Sequence, residues 1–208
     1  MELTRRHLEP AQLLSWLAVA VVLLFLGGCA GSGTYGGGAG NFHTVIIDAG
    51  HGGHDQGARP VSGMYEKNLA LDTARRTAKV LRSKGFRVIE TRTTDVFIPL
   101  DQRAAISNRE GGAIFVSIHY NWAPRRAASG LETYYYSGRS TRLAANILRE
   151  LRSSYPTKNR GVKYARYHVL RENRRPAVLC ELGFLSSPYD NGYVQNSDYR
   201  QRLASIRR

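Results

Sequence analysis

Four side chains have the types and positions that metal-assisted hydrolysis requires. His51 follows an apolar run through a glycine turn, and His119 stands near the end of another apolar run. Glu66 opens a helical pattern, and Glu181 interrupts the apolar run "AVLCELGF". Two histidines and a carboxylate with one open position are a common catalytic zinc arrangement, and a further carboxylate can carry a proton. These residues are therefore candidates for a hydrolytic zinc site.

Three of these residues also have a structural explanation that the pattern leaves open. A histidine at a strand end is often only a hydrogen-bonded structural group, and a glutamate at a helix start often only complements the helix dipole. The candidates are scattered along the chain, so their spacing alone is a weak signal. Glu181 is the exception, because an unpaired carboxylate in a buried strand is costly unless a metal or hydrogen bonds compensate it.

A second histidine lies close to the first in "DAGHGGHDQGA". Its separation of three residues could place both imidazoles on one helix face, but Gly52 and Gly53 disfavour a helix there. We therefore expect His54 to be a loop residue at the rim of the site, near substrate and without a metal role.

Alternating strands and helices must position these residues. Apolar, β-branched runs predict strands in "TVIIDAG", "FRVIETR", "AIFVSIHY", "GLETYYY" and "AVLCELGF". Helical spacing predicts helices over residues 66–85, 100–109 and 141–153 and after Ser197. This order predicts a single α/β domain with a mostly parallel, twisted central sheet and helices on both faces. Ligands collect at the carboxyl ends of such strands, where the candidate residues stand.

The first forty residues have a different composition. Two arginines precede the apolar stretch Leu13–Leu26, whose fourteen residues would span only about 21 Å of the roughly 30 Å hydrocarbon core. Residues 1–28 are therefore predicted to be a lipoprotein-type signal peptide, since "LGGC" resembles a lipobox that leaves a lipidated Cys29. An ordinary signal peptide or an uncleaved anchor is the alternative. Residues 29–42 are predicted to be a flexible, glycine-rich tether before a catalytic domain over residues 43–208.

The formal net charge of +14 favours a polyanionic partner. Export and the lack of an aromatic-interleaved recognition motif argue against nucleic acid and favour peptidoglycan, teichoic acid or anionic lipid headgroups. A solvated basic surface is the alternative. We expect several of the following loop arginines to meet the carboxylates of the substrate: Arg125, Arg126, Arg171, Arg174 and Arg175. With Cys29 acylated, Cys180 has no intramolecular partner, so the fold must depend on its core.

Six segments resemble, in order and spacing, the zinc-dependent N-acetylmuramoyl-L-alanine amidases of the amidase-3 type, which are bacterial cell-wall hydrolases. They are "IIDAGHGGHDQGA", "MYEKNLAL", "TRTTDVFIPLDQRAAISN", "FVSIHYN", "GLETYYY" and "PAVLCELGFLSSPYD", and they extend over nearly all of the chain from Thr44 onward. The resemblance implies that His51, Glu66 and His119 bind zinc and that Glu181 is the catalytic glutamate. It also implies supporting or packing roles for Asp48, Arg103 and Asn121. For Glu132 such a role and a simple pairing with a neighbouring basic residue are both open.

The resemblance implies hydrolysis of the amide between the lactyl group of N-acetylmuramic acid and L-alanine of the stem peptide, in wall remodelling or daughter-cell separation. Its partners would be the peptidoglycan peptide and glycan and, through Cys29, a membrane facing peptidoglycan in the cell envelope. We expect a monomer. Only "SGRS" separates Tyr136 from the helix near Thr141, so we expect no inhibitory helix of the kind that some family members carry there. The alternatives are a zinc peptidase acting within the stem peptide and a non-catalytic peptidoglycan-binding lipoprotein.

Overall fold

A six-stranded sheet with helices on both faces forms the described part of the chain. The computed structural model describes residues 42–154 and 157–205. The predicted signal peptide, Cys29 and all but the last residue of the predicted tether lie outside these residues. Within the described part, no helix is both long and apolar enough to cross a lipid bilayer.

The strands are arranged in the order β2-β1-β3-β6-β4-β5. Four neighbouring pairs are parallel, and the pair formed by β4 and β6 is antiparallel. The bounds are β1 Thr44–Ala49, β2 Arg87–Glu90, β3 Ala113–Asn121, β4 Leu131–Tyr135, β5 Asn159–Tyr164 and β6 Ala177–Phe184.

Six helices within the described residues cover the sheet. Their bounds are α1 Glu66–Ser83, α2 Leu100–Asn108, α3 Thr141–Ser154, α4 His168–Arg171, α5 Pro188–Val194 and α6 Ser197–Ala204. Side chains of α1, α3, α5 and α6 join a core cluster on one face, and α2 and α4 contribute to a second cluster on the other. Between β4 and α3 there is only a 3-10 turn, Gly138–Ser140.

The side chains of one apolar strand belong alternately to the two core clusters. In β1 every residue is buried, and Val45 and Ile47 belong to the first cluster while Ile46 belongs to the second. Successive side chains of a strand point to opposite faces, so a strand covered on both faces is apolar throughout. The polar Asp48 in this run shares the face of Ile46, which is the face that carries the site.

The direction of β4 decides which residues gather at the site edge of the sheet. Strands β1, β3 and β6 end at this edge, whereas the antiparallel β4 begins there. In the registers of the sheet, Glu181 of β6 therefore pairs with His119 on one side and with Glu132 on the other.

The predicted fold class is confirmed, and the structure adds three elements to it. These are β5, α4 and α5, none of which was predicted from the sequence. Strand β5, "NRGVKY", is a half-exposed edge strand without a continuous apolar run. Helix α5, "PYDNGYV", is short and contains a glycine, but its start is marked by Pro188 and by the Ser187 side chain, which accepts from Asp190 N.

Candidate active site

Three of the predicted residues form one cluster of potential metal ligands. His51, Glu66 and His119 offer ligand atoms that all lie within 4.8 Å of one another. Nε2 of His51 is 3.0 Å and Nδ1 of His119 is 2.9 Å from the same oxygen, Oε1 of Glu66. The cluster is assembled from the loop after β1, the first turn of α1 and the end of β3.

A left-handed backbone turn presents His51. Its φ of 59° is the one positive value among the described residues other than glycine. Such a conformation is strained for a histidine and persists only where the surroundings hold it. Here Arg103 Nη2 donates to the His51 carbonyl oxygen at 2.7 Å. Nearby, a Cβ at Gly57 would lie 2.6 Å from both Glu66 Oε2 and His51 Cδ2, so the ligands leave no space for a side chain there.

Hydrogen bonds orient the candidate ligands. Nδ1 of His51 lies 2.8 Å from Oδ2 of Asp55, and this contact directs Nε2 toward Oε1 of Glu66. Glu66 accepts from Ala58 N at 2.7 Å and from Tyr120 N at 3.0 Å. Burial alone would raise the pKa of Glu66, but the hydrogen bonds from His119 and His51 outweigh it and hold the pKa low. Glu66 is therefore present as a carboxylate.

Two buried arginines hold the loop that carries His51. Arg103 pairs with Asp48 at 2.8 Å and also donates to the carbonyl oxygen of Ala49 at 2.5 Å. Arg92 donates to the carbonyl oxygens of Ala49 at 2.9 Å and Gly50 at 2.7 Å. Asp48 receives further hydrogen bonds from Thr91 and Ser117. The supporting role predicted for Asp48 and Arg103 thus takes the form of a buried ion pair beneath the cluster.

Glu181 lies beside His119 in the sheet and faces the same cleft. Its Oε2 atom is buried and has no hydrogen-bond partner in the described part of the chain. Burial, and then the negative charges of Glu66 and Glu132, raise the pKa of Glu181 well above its ordinary value. A buried carboxylate without a partner is unusual in a native protein and indicates a functional role.

The donor set fits zinc. Two imidazole nitrogens and one carboxylate oxygen are the protein ligands of a frequent catalytic zinc site, whose fourth position is left for water or substrate. The aspartate behind His51 matches the carboxylate that commonly orients such a histidine. Glu181 lines the same cleft and pairs with His119 in the sheet, so a carboxyl group that can exchange protons lies beside the ligand cluster.

Comparison with known proteins identifies the family. Residues 45–206 match the family model for N-acetylmuramoyl-L-alanine amidase, amidase-3 type. The chain belongs to this amidase family. One similar solved structure is the catalytic domain of CwlV, an N-acetylmuramoyl-L-alanine amidase from Bacillus (Paenibacillus) polymyxa var. colistinus. The TM-score is 0.76 at 34% identity, and the alignment covers 78% of this chain and 92% of the CwlV domain. For an N-acetylmuramoyl-L-alanine amidase from Clostridium difficile 630 the TM-score is 0.75 at 36% identity, and the alignment covers 79% of this chain and 91% of that amidase.

A curated relative supports the same assignment. "Probable cell wall amidase LytH" of Staphylococcus epidermidis is 36% identical over 160 residues, which are 76% of this chain and 53% of the relative. The chain spans 33% and 53% of the lengths of two curated relatives that it matches. The predicted family and enzyme class are confirmed, and the catalytic domain is an N-acetylmuramoyl-L-alanine amidase.

The cleft of the amidase domain has a volume of about 770 Å³. Its floor contains the candidate ligands and Glu181, and its walls include exposed aromatic rings. The wall residues are Ala58, Arg59, Phe97, Ile98, Leu100, Asn121, Trp122, Tyr167, His168 and Val169. His54 is outside the ligand cluster: it is exposed, and its ring packs against Phe97 with the centroids 4.3 Å apart.

Glu132 has more partners than the sequence indicated. It is buried and accepts hydrogen bonds from Asn121 at 2.5 Å, from Arg160 at 3.0 Å and from Lys163. Burial would raise the pKa of Glu132, but the hydrogen bonds from Lys163 and Arg160 outweigh it and lower the pKa. The predicted pairing with a neighbouring basic residue is thus seen with two basic residues of β5. Asn121, for which a supporting or packing role was predicted, links β3 to this carboxylate.

The predicted contact between loop arginines and substrate receives no support from the geometry. None of the five is among the residues that line the cleft of the amidase domain. Arg174 and Arg175 precede β6, and Arg175 is six residues, about 20 Å of extended chain, before Glu181. Arg171 pairs with Glu172 on the surface. The geometry thus gives no support to the prediction for Arg174 and Arg175, because charge alone does not indicate at which end of a strand a loop lies.

Sequence reasoning missed three residues of the site. Asp55 orients His51, Arg92 holds the loop carbonyls, and Arg59 lines the cleft. The separation of four residues between His51 and Asp55 within a glycine-rich loop was a usable signal for the first. For the two arginines the sequence contained no comparable signal, since they resemble the many other basic residues of the chain.

Proposed function

We propose that this amidase acts on peptidoglycan with zinc held by His51, Glu66 and His119, and that Glu181 transfers the protons. The observation that carries the proposal is the cluster of three ligand atoms within 4.8 Å, beside a buried carboxylate without a partner, in a cleft of the amidase domain. The bond to be cleaved joins the lactyl carbonyl of N-acetylmuramic acid to the amine of L-alanine.

Zinc, when bound, supplies Lewis acidity that polarises a carbonyl and makes water a usable nucleophile near neutral pH. The residues of the chain position this chemistry. Asp55 fixes the ring of His51 with Nε2 toward Glu66, and the backbone N–H groups of Ala58 and Tyr120 fix both oxygens of Glu66. Ligands held in this way need little rearrangement during the reaction, which is the basis of electrostatic preorganisation.

Glu181 accounts for the movement of protons. As a carboxylate it accepts a proton from the attacking water, and as a carboxylic acid it donates that proton to the departing amine of L-alanine. An amide nitrogen leaves poorly unless it is protonated, so the second transfer matters as much as the first. The raised pKa of Glu181 makes its carboxylate a stronger base for the first of these transfers.

The shape of the cleft suits a branched polymer. The substrate extends from the scissile amide along the glycan and along the peptide, so the site must be open in both directions. Exposed rings of Phe97, Trp122 and Tyr167 line the walls and offer apolar faces to sugar and peptide.

Product analysis tests this function directly. The full chain, loaded with zinc, is incubated with purified peptidoglycan, and the soluble products are identified by mass spectrometry. We expect peptides that begin with L-alanine and no such peptides after chelation. Glu181→Gln should keep its zinc and lose about 10²–10⁴-fold in rate, because a positioned acid–base group contributes on this order.

Other outcomes identify the alternatives. Peptides cut within the stem would indicate a zinc peptidase, and binding to sacculi without any released product would indicate a non-catalytic wall protein. A Glu181→Gln variant with full activity would contradict the role given to this carboxylate.

We further propose that the amidase is an exported monomer that a lipid on Cys29 anchors at the cell envelope, next to peptidoglycan. Residues 1–28 would be the signal peptide, residues 29–42 the tether and residues 43–208 the catalytic domain. The lipobox-like "LGGC", the glycine-rich composition that follows it and the cell-wall name of the relative LytH support this location.

A further inference from the structure

The cleft has an exposed positive charge that the proposed mechanism does not use. Two arginines line the cleft among the residues that the structure describes: Arg103 is buried and bound to Asp48, whereas Arg59 is exposed. The guanidinium of Arg59 has no hydrogen bond or ion pair with another described residue. A charged side chain at the edge of a binding cleft without an internal partner is available to a ligand.

The backbone places Arg59 close to the candidate metal ligands. The preceding residue, Ala58, donates its N–H to Oε2 of Glu66 at 2.7 Å. Given standard backbone dimensions, the Cα atom of Arg59 is therefore at most about 8 Å from this carboxylate. This anchoring fixes where the arginine side chain begins relative to the reacting bond.

The other charged groups near the reacting bond are not available to a carboxylate of the substrate. Glu66, Asp55 and Glu181 line the cleft and are acidic, and the proposed zinc ion would be held by Glu66 and the two histidines. A carboxylate that approaches this part of the cleft therefore needs a cation from the wall, and the exposed guanidinium of Arg59 can provide it.

The chemistry of the substrate indicates which of its carboxylates Arg59 can reach. The carboxyl group of the lactyl ether is consumed in the amide to L-alanine, so negative charge close to the scissile bond belongs to the peptide. The nearest carboxylate is on the acidic residue that follows L-alanine, one to two residue lengths or about 4–7 Å beyond the amide. This distance is comparable with the separation between Glu66 and the base of Arg59.

We propose that Arg59 is a specificity-determining residue that binds the free carboxylate of the acidic residue following L-alanine. This inference rests on the proposed function, since it assumes that the amide of the stem peptide lies over the ligand cluster. It predicts that the amidase prefers stem peptides whose carboxylate is free over those in which it is a carboxamide. A guanidinium can form two charge-assisted hydrogen bonds with a carboxylate but not with a carboxamide.

Two soluble muramoyl peptides test the proposal, one with the free carboxylate and one with the carboxamide at this residue. For the zinc-loaded full chain we expect kcat/KM to be roughly three- to tenfold higher for the free acid, the range for a partly exposed charged pair. Arg59→Ala should lower kcat/KM for the free-acid peptide by this factor and leave kcat/KM for the carboxamide peptide unchanged. Arg59→Lys should retain part of the preference, because it keeps the charge but not the fork of donors.

Arg142→Ala is the matched control, since Arg142 is an exposed arginine on α3 outside the cleft, and it should behave as the parent chain. Absence of a preference in the parent chain, or an equal loss on both substrates in Arg59→Ala, would overturn the role of Arg59. If the parent chain cleaves neither substrate, the proposed function itself fails and this inference fails with it.

Discussion

At the scale of single residues, the site depends on positions that have no side chain. A Cβ atom at Gly50 would lie 2.3–2.6 Å from the ring atoms of His119, well inside van der Waals contact. We predict that Gly50→Ala displaces this ring and lowers zinc affinity by at least about tenfold, comparable with the loss of an orienting contact. Elemental analysis after dialysis against limiting zinc measures the effect.

Gly111→Ala is the control for this substitution. No atom lies within 4 Å of the position where its Cβ would be built, and its φ is not in the left-handed region. Its zinc content and thermal unfolding should match those of the parent chain. Full zinc occupancy and activity in Gly50→Ala would show that His119 does not need its observed position.

The sequence predicted the identities of the chemical residues but not their contacts. Residue types in the apolar runs, together with the family resemblance, were enough to select His51, Glu66, His119 and Glu181. The sharing of one Glu66 oxygen by both histidines depends on the three-dimensional approach of β1, α1 and β3, which no local pattern contains. Long-range contacts of this kind also explain why the role of Arg92 was missed.

At the scale of elements, Glu132 connects the reversed strand pair to the site. Its pKa is lowered in the folded state, so its ionised form stabilises the fold above the unfolded pKa near 4.3, and this contribution is lost as pH falls through the folded value. We predict that Glu132→Gln lowers the free energy of unfolding by about 1–3 kcal/mol at pH 7. The deficit should shrink at the acid end, below about pH 4.

Urea unfolding at a series of pH values measures both quantities. Glu172→Gln, at an exposed carboxylate that pairs with Arg171, should change the stability by less than about 0.5 kcal/mol at every pH. A deficit for Glu132→Gln that stays constant down to acid pH would contradict the ionic origin of its contribution.

Strand direction and edge elements were beyond sequence reasoning. The apolar pattern of "GLETYYY" identifies a strand, but a strand has the same pattern whichever way it runs, so the antiparallel pairing of β4 with β6 could not be read from it. Glu132 lies near the start of its strand. The rule that ligands gather at the carboxyl ends of strands therefore did not predict that Glu132 lies close to the site. Strand β5 was missed for a related reason, since an edge strand needs few buried side chains.

At the scale of the whole molecule, location is as important as chemistry. We predict that Cys29→Ser, expressed in a bacterial host, moves the chain from the membrane fraction to the soluble fraction and leaves the zinc content and the rate on soluble muramoyl peptides unchanged. The lipid would be attached through this thiol, whereas the catalytic domain does not include it. Fractionation with immunodetection and metabolic labelling with a fatty acid are the measurements.

Cys180 provides the internal comparison for this experiment. It is buried in β6, and burial first, then the charge of Glu181, raises its pKa to about 12, so it is an unreactive thiol. Cys180→Ser should therefore stay in the membrane fraction. Retention of Cys29→Ser in that fraction would instead indicate an uncleaved apolar anchor.

Arg92 and Arg103, which hold the loop after β1, determine whether this loop becomes ordered during folding or when the metal ion binds. Their donors bind carbonyl oxygens of this loop, so the loop cannot open without breaking hydrogen bonds of two buried guanidinium groups. Its conformational entropy is therefore lost when the domain folds and not when the cation arrives. Amide hydrogen exchange in this loop should thus require the same global opening as the central strands, with or without the ion.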